Sequence, residues 1–162
     1  MLIRPATDGD LAAVSDIYAH EAATGIATFD SEPRALEAWR AHASSTEAGD
    51  HLLVAVQDGV VLGYASSGPY RPRPAYAHTR EASVYLADAA RGRGCGRLLY
   101  DALLAALRTD GVHMVVAVIA LPNDASVALH RAFGFTSVGV LHEVGRKFGR
   151  WIDTELFELR LG

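Results

Sequence analysis

Between Thr79 and Thr109 the sequence changes its hydrophobic period, and that change constrains the fold more than any other feature. Thr79 to Leu86 reads as a strand, the run Arg91-Gly92-Arg93-Gly94-Cys95-Gly96 follows, and Leu98, Leu99, Leu103, Leu104 and Leu107 then mark a helix. A glycine-rich loop that opens a helix presents free backbone N–H groups at the positive end of the helix dipole, so it suits a pyrophosphate. Arg91, Arg93 and Arg97 concentrate positive charge there, in a chain whose formal net charge is −4. The glycines fall at 92, 94 and 96, which is not the dinucleotide-binding G-x-G-x-x-G, and no Lys-Ser/Thr ending makes it a P-loop. An ordinary glycine-rich turn would carry the same residues, so the loop alone leaves both readings open.

The rest of the chain supplies elements to pack around this unit. Leu2 to Arg4 reads as a first strand. Thr7 and Asp10 have capping-box-like spacing ahead of Leu11, Val14, Ile17 and Tyr18, an apolar stripe at helical period. A second helix is expected to start near Pro33, with Leu36 and Trp39 facing inward. His51 to Gln57 and Val60 to Ser66 flank Asp58-Gly59, the preferred pair for a type I′ hairpin. Gly68 to His78, rich in proline, arginine and tyrosine, reads as a surface loop. Met114 to Leu121 is a continuous apolar run suited to a strand buried on both faces, and Asn123 to Ser126 can cap a short helix ending at Gly134. Two late strands, near Ser137 to Val144 and Asp153 to Leu161, bracket a turn-rich segment from Gly145 to Trp151.

At 162 residues, 50% hydrophobic and 21% charged, the chain fits one globular domain spanning residues 1–162. The acidic balance argues against general nucleic-acid binding, which needs a basic face. The longest apolar run is far below the roughly 18 to 20 residues that span a bilayer. Cys95 is the only cysteine and cannot form an internal disulfide; with no apolar leader in Met1 to Asp10, a cytoplasmic location is expected. His20, His42, His51, His78, His113 and His142 show no metal-binding spacing, and no metal is expected.

The glycine loop matches the R/Q-x-x-G-x-G/A pattern with which GNAT acetyltransferases hold the coenzyme A pyrophosphate. Thr79 to Tyr85, Val116 to Ile119, Asn123, Ser126, Leu129-His130, Gly134-Phe135 and Gly145 to Asp153 resemble the phosphinothricin and methionine-sulfoximine acetyltransferase branch. Thr28-Phe29 and Gly63 to Ser66 extend the similarity over essentially the whole chain. The resemblance implies an α/β fold, a mixed and centrally splayed sheet flanked by helices, with acetyl-CoA entering at the splay. It implies that Ser83, Val84 and Tyr85 offer backbone groups to the pantetheine arm, that Arg91 to Arg97 hold the pyrophosphate, and that Asn123 and Ser126 touch the arm while also capping their helix. Cys95 lies in the phosphate loop, away from the thioester, and is not expected to act as a nucleophile.

Acetyl transfer to an amine needs a deprotonated nitrogen, a held thioester carbonyl and an exit for the thiolate. Glu81 shares a strand face with Thr79, Ser83 and Tyr85 where the resemblance places the family's catalytic glutamate, and a solvated surface carboxylate is the plainer alternative. His130 stands where the branch has a histidine that can protonate the thiolate, although a histidine among apolar helix neighbours also suits a hydrogen-bonded core role. Arg71 and Arg73 can clamp a substrate α-carboxylate, Phe29 can wall the pocket, and Thr79 fits the branch pattern. The branch also implies a homodimer paired across late strands, with the Lys147-Phe148 turn approaching the neighbour's pocket. The expected activity is N-acetylation of a small amino acid or analogue of the phosphinothricin, methionine sulfoximine or methionine sulfone type. A protein N-terminal or polyamine acetyltransferase and a silent acyl-CoA sensor are the rivals; Glu81 speaks against the sensor and the Arg71 loop against polyamines.

Overall fold

The computed structural model describes residues 1–162. In chain order the elements are β1 (Leu2–Pro5), α1 (Leu11–Thr24), α2 (Leu36–Ala43), β2 (His51–Gln57), β3 (Val60–Pro69), β4 (Thr79–Leu86), α3 (Cys95–Thr109), β5 (Met114–Ala120), α4 (Asp124–Ala132), β6 (Thr136–Lys147) and β7 (Arg150–Arg160). One seven-stranded sheet runs β1-β2-β3-β4-β5-β7-β6. All neighbours are antiparallel except β4 and β5, which run parallel. This is the mixed, splayed α/β arrangement that the sequence led us to expect.

Side-chain alternation divides the core between the sheet's two faces. Leu52, Val54 and Tyr64 pack with Leu11, Val14 and Tyr18 of α1 and Trp39 of α2. Their neighbours Leu53, Ala55 and Ala65 point the other way, onto Leu99, Tyr100, Leu103, Leu104 and Leu107 of α3. Burying each such leucine is worth roughly 1.5 to 3 kcal/mol, which is what fastens α3, and with it the glycine loop, to the strands that carry the site.

The splay lies between β4 and β5. Their pairing covers only Thr79↔Met114, Arg80↔Val115 and Glu81↔Val116, whereas β5 stays paired with β7 from Met114 to Ala120. Beyond Glu81 the two central strands diverge, so the backbone edges of Ala82 to Leu86 and Ala117 to Ala120 face a cleft instead of each other.

Local expectations fared unevenly. Asp58-Gly59 adopts φ of 52° and 79°, as a type I′ turn requires. At the start of α1, Asp10 accepts from the Thr7 N–H at 2.8 Å and from Arg4 at 2.6 and 2.9 Å, and these bonds hold its carboxyl well below the usual range. The second helix needs correction: it begins at Leu36 and not at Pro33, because Ala35 is extended (ψ 141°). Leu36 is 41% exposed, and it is Arg34 whose guanidinium lies over the buried Trp39 ring, 4.6 Å from its centroid. The turn-rich segment at 145–151 is also mostly strand. Its turn contracts to Phe148-Gly149, φ 51° and 75°, a second type I′ geometry, and β6 absorbs the remaining irregularity as register shifts after Ser137 and Leu141.

Candidate active site

Two joined cavities open at the splay. The larger, about 760 Å³, runs between the end of α1, the diverging strands, the glycine loop and α4. The smaller, about 320 Å³, lies under the loop after α1. Ala27, Ser83, Tyr85, Val118 and Ala120 border both, so the two spaces meet at the fork.

The larger cavity has the chemistry of a coenzyme cleft. Gly92 and Gly94 have φ of 71° and 79°, a left-handed region that L side chains rarely adopt, so glycine is needed by backbone shape as well as by close ligand approach. The first N–H of α3 answered within the helix is that of Leu98, which donates to the Gly94 carbonyl at 3.2 Å; those of Cys95, Gly96 and Arg97 precede it in the first turn. Arg91, Gly92, Gly94, Gly96 and Arg97 line the space. Arg93 does not, and Cys95 is wholly buried in the α3 core, where burial raises its thiol pKa. Arg91 pairs with Glu21 at 3.3 Å and Asp88 at 3.2 Å, carboxylates with which an incoming pyrophosphate must compete. On the far side, Asn123 caps α4 by accepting the Ser126 N–H at 3.2 Å, and both residues line the cleft.

Glu81 sits on the last paired rung before the fork, opposite Gly68 of β3 and Val116 of β5, and lines the smaller cavity. Burial pushes its pKa up, and the nearby positive charge of Arg71 pulls part of that shift back. Arg71 is exposed, its guanidinium 5.1 Å from the Tyr70 ring centroid, on the loop leaving β3. Neither Arg71, Arg73 nor Thr79 lines the two cavities; Arg71 lies close enough to act on the Glu81 charge, Arg73 is in the loop between β3 and β4, and Thr79 stands two residues before Glu81 on β4.

His130 lies buried at the α4 wall of the cleft with both ring nitrogens engaged. Nδ1 is 2.7 Å from the Ser126 carbonyl, which can only accept, so Nδ1 carries the proton and Nε2 accepts from the Tyr100 hydroxyl at 2.7 Å. Burial lowers the imidazole pKa, which keeps this neutral form.

Phe29 lines the smaller cavity and packs its ring so closely on Gly145 that a Cβ there would lie 2.2 Å from it. Lys147 is anchored within its own chain. Its ammonium is buried in its own chain and donates to the Thr28 carbonyl at 2.8 Å, while Phe148 is exposed. The β6–β7 hairpin thus pins the loop that roofs the smaller cavity.

Several cavity residues escaped the sequence reading. Glu21 accepts the Ala27 N–H at 3.0 Å and ties the end of α1 to the glycine loop through Arg91, a link across 70 positions that leaves no local pattern. Tyr18, Asp30, Arg34 and Tyr64 line the smaller cavity. Asp30 and Arg34 lie around Pro33, in the stretch read as a helix start, where charged residues gave no signal of a site.

The model of the acetyltransferase (GNAT) family matches residues 11–135. A phosphinothricin N-acetyltransferase of Streptomyces coelicolor is 44% identical over 96% of this chain and 94% of its own length. An L-methionine sulfoximine/L-methionine sulfone acetyltransferase of Salmonella typhimurium is 39% identical over 99% of this chain and 95% of its own. The crystal structure of a phosphinothricin acetyltransferase from Sinorhizobium meliloti, in complex with acetyl-CoA, superposes with a TM-score of 0.93 at 35% identity, covering 99% of this chain and 88% of that one. With a glycine-rich loop opening a helix, a splayed cleft and a partly buried carboxylate at its fork, the chain belongs to the GNAT family and is an acetyl-CoA-dependent N-acetyltransferase.

Proposed function

We propose that the protein acetylates the α-amino group of a small free amino acid or analogue of the phosphinothricin or methionine sulfoximine type. The observation that carries this reading is Glu81, a partly buried carboxylate at the rung where the smaller cavity meets the larger. In this reading the free edge of β4 around Ser83, Val84 and Tyr85 pairs with the pantetheine amides, Arg91, Gly92, Gly94, Gly96 and Arg97 take the pyrophosphate, and Asn123 and Ser126 border the arm. The substrate ammonium gives its proton to Glu81, directly or through water, and the amine attacks the thioester carbonyl. The C–N bond forms, the nitrogen gives up its second proton as the C–S bond breaks, and the departing thiolate, whose thiol has a pKa near ~8.5, takes up a proton from solvent without need of a strong acid. His130, with both nitrogens engaged, then serves to hold α4 against the cleft. Arg71, supported by Arg73 and Thr79, receives the α-carboxylate beside Glu81, and Phe29, held through Gly145 and Lys147, walls the side chain.

A homodimer across β6 completes the reading. This edge strand exposes Val138, Val140, Leu141 and Val144, with Phe148 and Trp151 beyond it, and light scattering of the purified protein tests it. No helix is long and apolar enough to cross a membrane, and a lone buried cysteine suits the reducing cytoplasm.

The pH profile of Glu81→Gln tests the chemistry. Because burial raises its pKa, Glu81 becomes a base only above the ordinary carboxylate range, so the acid limb of kcat/KM lies above ~4.3. The variant loses most on the acid side, where the substrate is an ammonium, and recovers partly above ~8, where a model α-amine deprotonates unaided. A variant profile equal in rate to the wild type removes Glu81 as the base. A peptide with a free N-terminus, offered alongside free amino acids, separates this reading from protein N-terminal acetylation.

A further inference from the structure

The rim of the smaller cavity carries two opposite charges on exposed side chains, Asp30 and Arg34. Asp30 and Arg34 both line it and both meet the Tyr18 hydroxyl. That hydroxyl donates to Asp30 Oδ2 and also lies 2.8 Å from Thr28 Oγ1, while Asp30 Oδ1 has no partner. Arg34 reaches the same hydroxyl at only 3.5 Å, and its guanidinium is held over two rings, 4.8 Å from the Tyr18 centroid and 4.6 Å from that of Trp39. Stacking fixes the guanidinium plane without consuming its N–H donors. Asp30 and Arg34 meet through the Tyr18 hydroxyl, and the Lys147 ammonium adds a second positive charge acting on Asp30. The rim therefore offers, side by side, the Asp30 Oδ1 acceptor and guanidinium donors of Arg34 that no acidic side chain engages.

We propose that Asp30 and Arg34 read the far end of the acceptor's side chain and select a neutral group that bears both an acceptor oxygen and an N–H donor, as a sulfoximine or a carboxamide does. This rests on the amino-acid acetyltransferase reading above and sharpens it. The oxygen accepts from Arg34 and the N–H donates to Asp30. An anionic terminus such as a phosphinate or carboxylate satisfies Arg34 but faces the Asp30 charge. A sulfone brings two acceptors, one of which must sit against a carboxylate that can only accept. A terminal ammonium suits Asp30 and is repelled by Arg34. A hydrogen bond to a charged group is worth on the order of tenfold in affinity or more, and an unpaired or like-charged contact forfeits it.

The test compares kcat/KM for methionine sulfoximine, methionine sulfone, phosphinothricin and methionine, by thiol release from acetyl-CoA, in the wild type, Asp30→Asn, Asp30→Ser and Arg34→Gln. The wild type favours the sulfoximine at least fivefold over the sulfone and phosphinothricin. Removing the Asp30 charge by either substitution lowers the sulfoximine and raises phosphinothricin, so their ratio falls at least tenfold. Arg34→Gln lowers the three oxygen-bearing acceptors about tenfold and leaves methionine, which has no terminal oxygen, much less affected. A wild-type ratio near one, or Asp30 variants that scale every acceptor equally, overturns the proposal while the amino-acid reading stands. If the wild type acetylates none of the four, that reading falls and the proposal falls with it.

Discussion

Replacing Tyr100 with phenylalanine removes a single hydroxyl and asks what His130 is for. Tyr100 is fully buried, and its hydroxyl has one partner, His130 Nε2 at 2.7 Å. The ring's other nitrogen is committed to the Ser126 carbonyl, so the tautomer cannot reverse to make Nε2 a donor without breaking that bond. Tyr100→Phe therefore leaves a buried lone pair unsatisfied, at a cost of about 1 to 3 kcal/mol. For a chain of this length each kcal/mol moves the midpoint by about 2 to 4 °C, so Tm should fall by about 2 to 12 °C. Differential scanning calorimetry reads that loss, and steady-state kinetics well below the transition read the chemistry. Because His130 has no proton aimed at the thiolate, kcat and the alkaline limb of its pH profile should stay near wild type. An unchanged Tm with kcat reduced more than tenfold would refute the reasoning and place the Tyr100–His130 pair in proton transfer.

Three further outcomes are expected. Gly94→Val places a β-branched residue at φ 79°, costing roughly 1 to 3 kcal/mol, and should abolish coenzyme A binding by calorimetry while the domain stays folded; retained affinity would remove the loop from the coenzyme site. Arg71→Ala should raise KM for a free amino acid and should cost an acceptor with an amidated carboxylate little; equal losses would make Arg71 a loop support only. Burial holds His130 below its ordinary pKa, so the unfolded state binds the extra proton first; stability is full above about 6.5 and falls as pH drops through the lowered pKa, a slope that His130→Gln should flatten in melts between pH 7 and pH 5.

Legibility in the sequence followed locality. The Asp58-Gly59 hairpin, the Leu-rich face of α3 and the Asn123 cap were readable because each is dictated by residues a few positions apart. Phe148-Gly149 takes the same turn geometry, yet phenylalanine at positive φ is no turn signal, and the lengths of β6 and β7 were missed with it. Glu81 was located by its strand neighbours and by resemblance, but its place at the fork depends on where β4–β5 pairing stops, which is a tertiary fact. The bond from the Lys147 ammonium to the Thr28 carbonyl, 119 positions away, left no local pattern to read. The Asp30–Tyr18–Arg34 cluster was invisible because Tyr18 presents as one more apolar residue of a helical stripe, and only folding brings its hydroxyl between the two charges.

The central claim is that the small cavity delivers a free α-amine to a thioester at the Glu81 fork. Mass spectrometry of the products formed from acetyl-CoA and free amino acids, methionine sulfoximine first among them, tests it most directly. The expected product is an acceptor bearing one added acetyl group on its α-nitrogen, with one coenzyme A thiol released per acetyl transferred and with Glu81→Gln slow below neutral pH. Coenzyme A release without an N-acetylated amino acid, or acetylation confined to peptide N-termini, would contradict it.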